Sequence, residues 1–438
     1  MNFQNIRVLV DGYNLELQQG TGIKTYGISL IKALNLLQAE IDILYSGAKQ
    51  TKKQDSPVTE VLFFDPNFQK LGKLSQALSV SKILSKASFT PQRLKFNDIV
   101  IRNPKDILNS QFFNFLGVLN LPLCYQLSNY FFQKFNLELI IKPDYPWQIF
   151  HATYPLPIKV KGAKKITTIH DLIPLRLPYA TLDDKDFFYR LIKYSIKTSD
   201  LIITVSEYSK KDLVEIFNCP AEKVAVTYSP VALPQQEVSS DKLSVYLRKY
   251  NLNYQKYILF VGAIEPKKNL GCLIDAYAML NPDIPLVIVG KKAWLWEQDL
   301  AKIDFIVKKK SKSKTELEKV LVLDYVPTND LPYLFQGAYC FVFPSLYEGF
   351  GLPVLEAMSF GCPVITSKVA SLPEVCGDAA LYIDPYNAED LSDKLQQILT
   401  DPNLRDRLSL AGRKRAEFFS MDNYQHQLMA AYNQVLNP

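Results

Sequence analysis

Glu348 and Glu356 are separated by seven residues in the segment Phe343-Pro344-Ser345-Leu346-Tyr347-Glu348-Gly349-Phe350-Gly351-Leu352-Pro353-Val354-Leu355-Glu356-Ala357-Met358. The apolar run ending at Phe343 reads as a strand. Pro353 suits the first turn of a helix, where its missing N–H costs nothing. The amides of Gly349, Phe350 and Gly351 then fall at a helix N-terminus, which favours anions and hydroxyl groups. Glu348 lies in the loop and Glu356 about one turn into the helix, so both carboxylates can face one crevice. Carboxylates accept hydrogen bonds from vicinal diols. An isolated Glu is ordinarily a solvated surface residue. The strand–loop–helix setting is what singles out these two.

A second block, Val261-Gly262-Ala263-Ile264-Glu265-Pro266-Lys267-Lys268-Asn269, also ends a strand and opens a helix. A helix N-terminus disfavours cations. Placing Lys267 and Lys268 there conflicts with that local rule and points to an anion between them. In the first loop, Gly20-Thr21-Gly22-Ile23 lacks the G-x-G-x-x-G spacing and is weak as a dinucleotide fingerprint. Its plain reading is a turn before a helix. His170 and Asp171 follow an apolar run at its carboxyl end; a lone His is more often structural than reactive.

These residues need elements to hold them. Ile6–Val10, Ile41–Tyr45, Ile149–His151, Ile166–His170, Leu201–Val205 and Val224–Thr227 read as strands. Thr25–Leu37, Phe187–Thr198 and Glu207–Phe217 read as helices, the last capped by Ser206. Residues 50–105 read as loops and short helices. The alternation restarts with strands Tyr257–Val261, Leu286–Val289, Leu321–Leu323, Cys340–Phe343, Pro363–Thr366 and Ala380–Ile383. Helices Asn269–Leu280, Thr328–Gln336, Pro353–Ser359 and Ala388–Leu399 lie between them, and Ser420–Leu436 ends the chain. Short apolar strands alternating with helices imply parallel sheets covered on both faces. The expected fold is α/β, with two doubly wound domains facing a central cleft. The first spans 1–235, a linker 236–255 and the second 256–419, with a final helix 420–438 packing back on the first. Ligands of such sheets bind at the carboxyl ends of strands.

Composition narrows the chemistry. The chain of 438 residues is 48% hydrophobic and 21% charged, enough for real cores. Its net charge of +6 is uneven: residues 1–238 carry 28 basic and 21 acidic side chains, the rest 22 and 23. That bias is too weak to indicate nucleic acid. The six cysteines are scattered without a C-x-x-C pair, and with three histidines a metal centre is not expected. No signal peptide and no run of about 18 apolar residues is present, so a cytoplasmic protein is expected.

The segment from Pro344 to Ser367 resembles the E-x7-E signature of retaining GT-B glycosyltransferases, specifically family 4, the glycosyl transferases group 1. "IEPKKN" (264–269), "TIHDLIP" (168–174) and "FHATYPLP" (150–157) resemble further blocks of that family. The resemblance implies a metal-independent transfer of a sugar from a nucleotide diphosphate to an acceptor hydroxyl, with no cofactor. It implies that Glu348 holds the hydroxyls of the transferred sugar, Glu356 the ribose, Lys268 the diphosphate and His170 the sugar near the reacting carbon. His170, Glu348 and Lys268 are thus the implied catalytic residues. Gly20, Gly22, Ile23, Gly262, Lys267, Gly349, Phe350, Gly351 and Leu352 are implied to line the donor site. Backbone atoms of Tyr325 and Val326 are implied to meet the base. Many family members carry Arg where this chain has Ala263, and Gly262 or Lys267 is expected to compensate. His151 is expected to shape the acceptor side. GDP-mannose leads as donor and UDP-sugars follow. The partners are a glycan or lipid-linked acceptor, no nucleic acid, and an anionic membrane surface met at the inner face of the plasma membrane by the basic first half. Residues 50–142 match the family least and are expected to carry acceptor specificity. A sugar-nucleotide epimerase, a non-catalytic nucleotide-sugar-binding protein and a dinucleotide oxidoreductase are the competing readings. The E-x7-E pair and the lysine block disfavour the first two, and the missing glycine fingerprint the third.

Overall fold

The computed structural model describes residues 6–16, 22–47, 89–94, 116–233, 239–303 apart from Gln298 and Leu300, and 319–437. The first half runs β1 (Arg7–Asp11), α1 (Gly22–Leu36), β2 (Glu40–Tyr45), β3 (Gln92–Leu94), β4 (Leu116–Asn120), α2 (Cys124–Phe135) and β5 (Leu139–Ile141). It continues through β6 (Ile149–Ala152), β7 (Ile158–Val160), β8 (Lys164–Thr168), α3 (Ile173–Arg176), α4 (Lys185–Thr198), β9 (Leu201–Thr204), α5 (Glu207–Phe217) and β10 (Val224–Val226). Among the described residues, eight strands form one sheet in the order β10-β9-β8-β6-β1-β2-β4-β3. All pairs are parallel except β3, which runs antiparallel to β4 at the edge. Val8, Leu9 and Val10 are all buried, as a strand covered on both faces requires.

The second half runs α6 (Ser240–Arg248), β11 (Ile258–Val261), α7 (Leu270–Leu280), β12 (Leu286–Val289), β13 (Val320–Leu323), α8 (Leu331–Gly337), β14 (Cys340–Phe343) and α9 (Leu352–Ser359). Then come β15 (Val364–Ser367), α10 (Leu372–Cys376), β16 (Ala380–Ile383), α11 (Ala388–Thr400), α12 (Pro402–Glu417) and α13 (Met421–Leu436). Its six described strands are parallel in the order β13-β12-β11-β14-β15-β16. The chain therefore winds outward one way from β11 and the other way from β14. The crevice between the carboxyl ends of these two strands is the topological switch point, where ligands of such sheets sit. In the first sheet the same reversal falls between β1 and β6.

The chain's last helix returns to the first half. Tyr424, Leu428, Ala431, Tyr432 and Val435 form its buried stripe, and it packs against α1 and β9. Among the described residues no helix is long and apolar enough to cross a membrane.

Several elements differ from the sequence expectation. α1 begins at Gly22, three residues before the expected Thr25; glycine costs little there because it stands at the helix N-terminus and not in its interior. The stretch read as a linker carries α6. Its Leu243 and Leu247 are one helical turn apart and buried, and Tyr246 stacks on Tyr333 at 3.7 Å. Polar neighbours mask that spacing. α2 and β4 lie in the aromatic-rich stretch 116–135, where Gln126, Gln133 and Lys134 are exposed while Asn120 and Ser128 are buried. Of residues 50–105, only 89–94 are described; they give strand β3 rather than a loop or helix.

Candidate active site

The two donor-side motifs leave neighbouring strands. β11 pairs directly with β14, so the loops after Val261 and Phe343 rise side by side. Lys268 Nζ lies 2.6 Å from Glu348 Oε1, with side-chain exposures of only 13% and 11%. The Phe343 ring stands 4.8 Å from the same ammonium. Asn269 holds the left-handed conformation, φ +56°, and its Nδ2 donates to the carbonyls of Pro344 at 3.0 Å and Pro385 at 2.7 Å. The Leu346 amide donates to the Lys267 carbonyl at 2.8 Å. These bonds join the two loops into one wall. Lys267 reaches Glu265 at 3.3 Å. Burial works against its charge, but Glu265, Glu348 and Asp171 outweigh that and raise its pKa. The anion expected between the lysines is therefore supplied, in the free protein, by Glu265 and Glu348.

The loop after Glu348 has its carbonyls tied away from the crevice. Ser371 Oγ donates to the carbonyl of Glu348 or Phe350, each at 2.9 Å, and Ser206 Oγ to that of Gly349 at 2.7 Å. The amides of Gly349, Phe350 and Gly351 have no acceptor among the described residues. Gly351 adopts φ +101°, a conformation that favours glycine. α9 follows from Leu352, with Pro353 in its first turn. Glu356 is 9% exposed and its carboxylate has no partner among the described residues. Burial pushes its pKa up to about 8.

On the facing side, His170 follows β8. Its Nε2 lies 2.9 Å from the Thr153 carbonyl. A carbonyl only accepts, so the proton sits on Nε2 and Nδ1 remains a lone-pair acceptor. Burial pushes the imidazole down to about 4, so it is neutral near pH 7. The ring stands edge-on to Tyr26 at 4.8 Å. Asp171 Oδ1 accepts from the Ile173 amide at 3.0 Å, so it braces its own loop rather than orienting His170. Ile23, at the start of α1, lines a cavity of about 150 Å³ together with His170, Asp171 and Lys267. Gly22 is exposed beside it, and Gly20 lies outside the described residues.

Two site expectations change, those for Gly262 and His151. The Gly262 amide donates to the Val289 carbonyl at 2.9 Å, so it cannot replace the missing Arg charge. The close approach here requires glycine at 290, where a Cβ would meet the Gly262 carbonyl at 1.8 Å; a Cβ on Gly262 itself would make only ordinary contact with the Phe260 ring at 3.5 Å. The Phe350 ring is turned into an aromatic cluster with Phe419 and Tyr228, which leaves only its backbone for the crevice. Val326 is likewise buried, whereas Tyr325 is 63% exposed with Lys291 Nζ 5.5 Å from its ring. His151 is fully buried, its ring nitrogens 2.7 Å from Tyr432 Oη and 2.8 Å from Thr168 Oγ1. It ties the final helix to the sheet and does not reach the cleft, because β6 points it inward.

Other residues had little or no sequence signal. Tyr347 Oη donates to Asp212, a 1%-exposed carboxylate that also accepts from Arg176 Nε at 2.9 Å. Glu374 accepts from the amides of Glu207 and Tyr208, at 2.7 and 3.1 Å, at the N-terminus of α5. The Tyr347–Asp212 and Ser206–Gly349 bonds fasten the Glu348 loop to the first half, and Glu374 fastens α10 to it. Ser206 was legible as a helix cap; nothing in the sequence pairs Tyr347 with Asp212.

Two family profiles match the chain: Glycosyl transferases group 1 over residues 246–415 and Glycosyltransferase Family 4 over residues 100–233. The chain is 35% identical over 299 residues to O-antigen chain mannosyltransferase B of Escherichia coli, a match covering 66% of this chain and 75% of that one. It is 28% identical over 292 residues to the serotype-specific mannosyltransferase WbdA of Escherichia coli, covering 65% of this chain and 35% of the relative. Its fold matches the crystal structure of Anabaena HepE in complex with UDP-glucose, with a TM-score of 0.65 at 14% identity, over 98% of this chain and 99% of that one.

Proposed function

The chain belongs to the glycosyl transferases group 1 and is a glycosyltransferase of the GT-B fold; from that premise, we propose that it moves mannose from GDP-mannose to a hydroxyl of a glycan or lipid-linked acceptor with retention of configuration. The observation that carries the site assignment is the Lys268–Glu348 contact at the switch point. The names of the relatives favour mannose over other hexoses.

In this reading the donor diphosphate lies against Lys267, Lys268 and the amides of Gly349, Phe350 and Gly351. Glu348 takes the hydroxyls of the mannose, Glu356 the ribose diol, and the backbone of Tyr325 and Val326 the base. The neutral His170 offers Nδ1 to a sugar hydroxyl near the reacting carbon. As the C1–O bond breaks, its electron pair passes to the diphosphate. Fixed cations and peptide dipoles then stabilise the growing charge without reorganising, usually the largest catalytic term. They take the place a metal ion has in other transferases. The acceptor oxygen bonds to C1 from the same face, and its proton passes to the departing phosphate oxygen. The two glutamates are binding groups in this scheme and not a hydrolase acid–base pair.

The test is a donor panel read by nucleotide release and product mass, with NMR of the new anomeric centre. GDP-mannose should be the preferred donor, the product should keep the donor's configuration, and EDTA should leave the rate unchanged. Preference for a UDP-sugar, an inverted product or loss of rate in EDTA each removes the corresponding part. The basic excess of residues 1–238 supports docking on an anionic bilayer. Vesicle sedimentation indifferent to anionic lipid would remove that part.

A further inference from the structure

We infer that the outer surface of α2 and of the β5–β7 ribbon is a membrane-docking face, where Tyr130, Phe135, Leu137 and Ile140 enter the interface of an anionic bilayer and Lys134, Lys142, Lys159 and Lys161 meet its headgroups. This rests on the bilayer docking proposed above and deepens it, because a basic excess spread over residues 1–238 names no surface.

The patch follows from the way its elements divide their side chains. α2 buries Leu127 and Phe131 in the first half's core and leaves Tyr130 45% and Phe135 59% exposed, their rings 6.3 Å apart. Asn136 closes the helix in the left-handed conformation, φ +55°, and the next residue, Leu137, is 60% exposed. β5 buries Leu139 and Ile141 and exposes Ile140; β7 buries Ile158 and Val160 and exposes Lys159. Ile140 and Lys159 are register partners, so an apolar and a cationic side chain stand side by side on the outer face. The Lys161 amide donates to the Ile141 carbonyl at 2.9 Å, which brings Lys161 and Lys142 to the same end of the ribbon. Single exposed apolar residues need no explanation, but a group of them marks a contact surface.

The occupant's chemistry follows from the lysines. All four are exposed, and none has a carboxylate partner among the described residues. Of the acids in this stretch, Asp144 is exposed and Glu138 already accepts from Tyr194. Protein interfaces gather apolar residues at their centre and deplete lysine. Here Lys134 precedes Phe135 and Lys159 stands opposite Ile140, so a protein partner would have to desolvate both ammonium groups. At a bilayer surface the apolar side chains enter the interface while the lysines stay among anionic headgroups. The contact is peripheral, since among the described residues no helix is long and apolar enough to cross a membrane. Tyr125, at the start of α2, accepts from the Gly12 amide at 2.9 Å, beside the carboxyl end of β1. At a rise of about 1.5 Å per residue, Phe135 lies about 15 Å further along the helix. The patch is therefore clear of the strand ends that form the cleft.

The experiment is flotation of the full chain with vesicles of phosphatidylcholine alone and of equal parts phosphatidylcholine and phosphatidylglycerol. The mixed vesicles should carry the chain, and the neutral ones at least tenfold less. Two double variants change exposed side chains only, Phe135→Ser with Leu137→Ser and Lys159→Glu with Lys161→Glu, so both should melt like wild type. Each should lower partition onto mixed vesicles at least tenfold and leave transfer to a water-soluble acceptor within twofold. If wild type floats with neither vesicle, this inference and the docking reading fall together. If wild type floats on mixed vesicles and either double variant floats equally well, docking uses another surface and this inference alone falls. Equal flotation of wild type on neutral vesicles overturns the anionic assignment. Sedimentation velocity tests a second copy as occupant: a wild-type dimer that Phe135→Ser with Leu137→Ser dissociates would assign the patch to self-association and overturn the inference.

Discussion

Glu348 and Lys268 hold opposite charges 2.6 Å apart with little solvent around them. Removing one side chain strands the other's charge, which is strongly destabilising. Glu348→Ala should therefore lose stability as well as activity, whereas Glu348→Gln keeps a hydrogen-bond acceptor for Lys268. The Gln variant should melt above the Ala variant but below wild type, and lose about 100- to 1000-fold in turnover, the scale seen when one electrostatic group is removed. Melting curves beside initial rates check both halves of that statement. Glu356 gives a second prediction at this scale. Its carboxyl is pushed from the ordinary 4.5 up to about 8. Between those values the folded protein holds a proton that the unfolded chain has released, so its stabilising contribution is full below about pH 4.5 and is lost as pH rises through 8. The slope approaches about 1.4 kcal/mol per pH unit within that window. Stability of Glu356→Gln should lack this slope relative to wild type; parallel curves from pH 5 to 9 would reject the buried-carboxyl account. Spacing made Glu348 and Glu356 legible. It could not show that Lys268 neutralises one and leaves the other unpartnered.

The loop from Ser345 to Gly351 is held by both halves of the chain. Ser371 takes its carbonyls from one side, and Ser206 and Asp212 hold Gly349 and Tyr347 from the other. Tyr347 precedes Glu348, so the phenol's anchor sets the backbone that aims the carboxylate. Tyr347→Phe removes one hydrogen bond to a carboxylate that keeps Arg176, for about 1–3 kcal/mol. Turnover should fall about tenfold while GDP affinity, set within the second half, stays near wild type. Equal losses in turnover and GDP affinity would instead mark a general loosening of the donor site. The helix preceding this contact, α5, was readable in full from its Ser206 cap and apolar spacing. Its buried Asp212 was not, because a carboxylate on a helix reads as solvent-facing until the neighbour that covers it is known. The same reason hid α6, whose two buried leucines sit among Lys, Ser and Asp.

At the scale of the molecule, the final helix links the ends of the chain. His151 bridges Tyr432 and Thr168, and Thr168 also meets Tyr26, whose ring supports His170. The cleft histidine thus stands on a buried polar network completed by α13. Deleting residues 421–438 removes a stripe of five buried side chains, whose burial contributes about 1.5–3 kcal/mol for each large one. That sum is comparable to the whole stability of a domain. The first half should then melt separately and at lower temperature than the second, as read by hydrogen exchange on β1 and β9. A single unchanged transition would show that α13 is dispensable.

The alternation of apolar strands and helices, the E-x7-E spacing and the lysine block were determined by the sequence, because each is a local pattern that one strand, loop and helix must satisfy together. Strand order was decided only in three dimensions. It brings Val261 beside Phe343 across about eighty residues and so turns two separate motifs into one wall. The partners of His151, Asp212 and Tyr347 were decided there too, since burial and pairing depend on which surface arrives opposite, and no local pattern encodes that arrival.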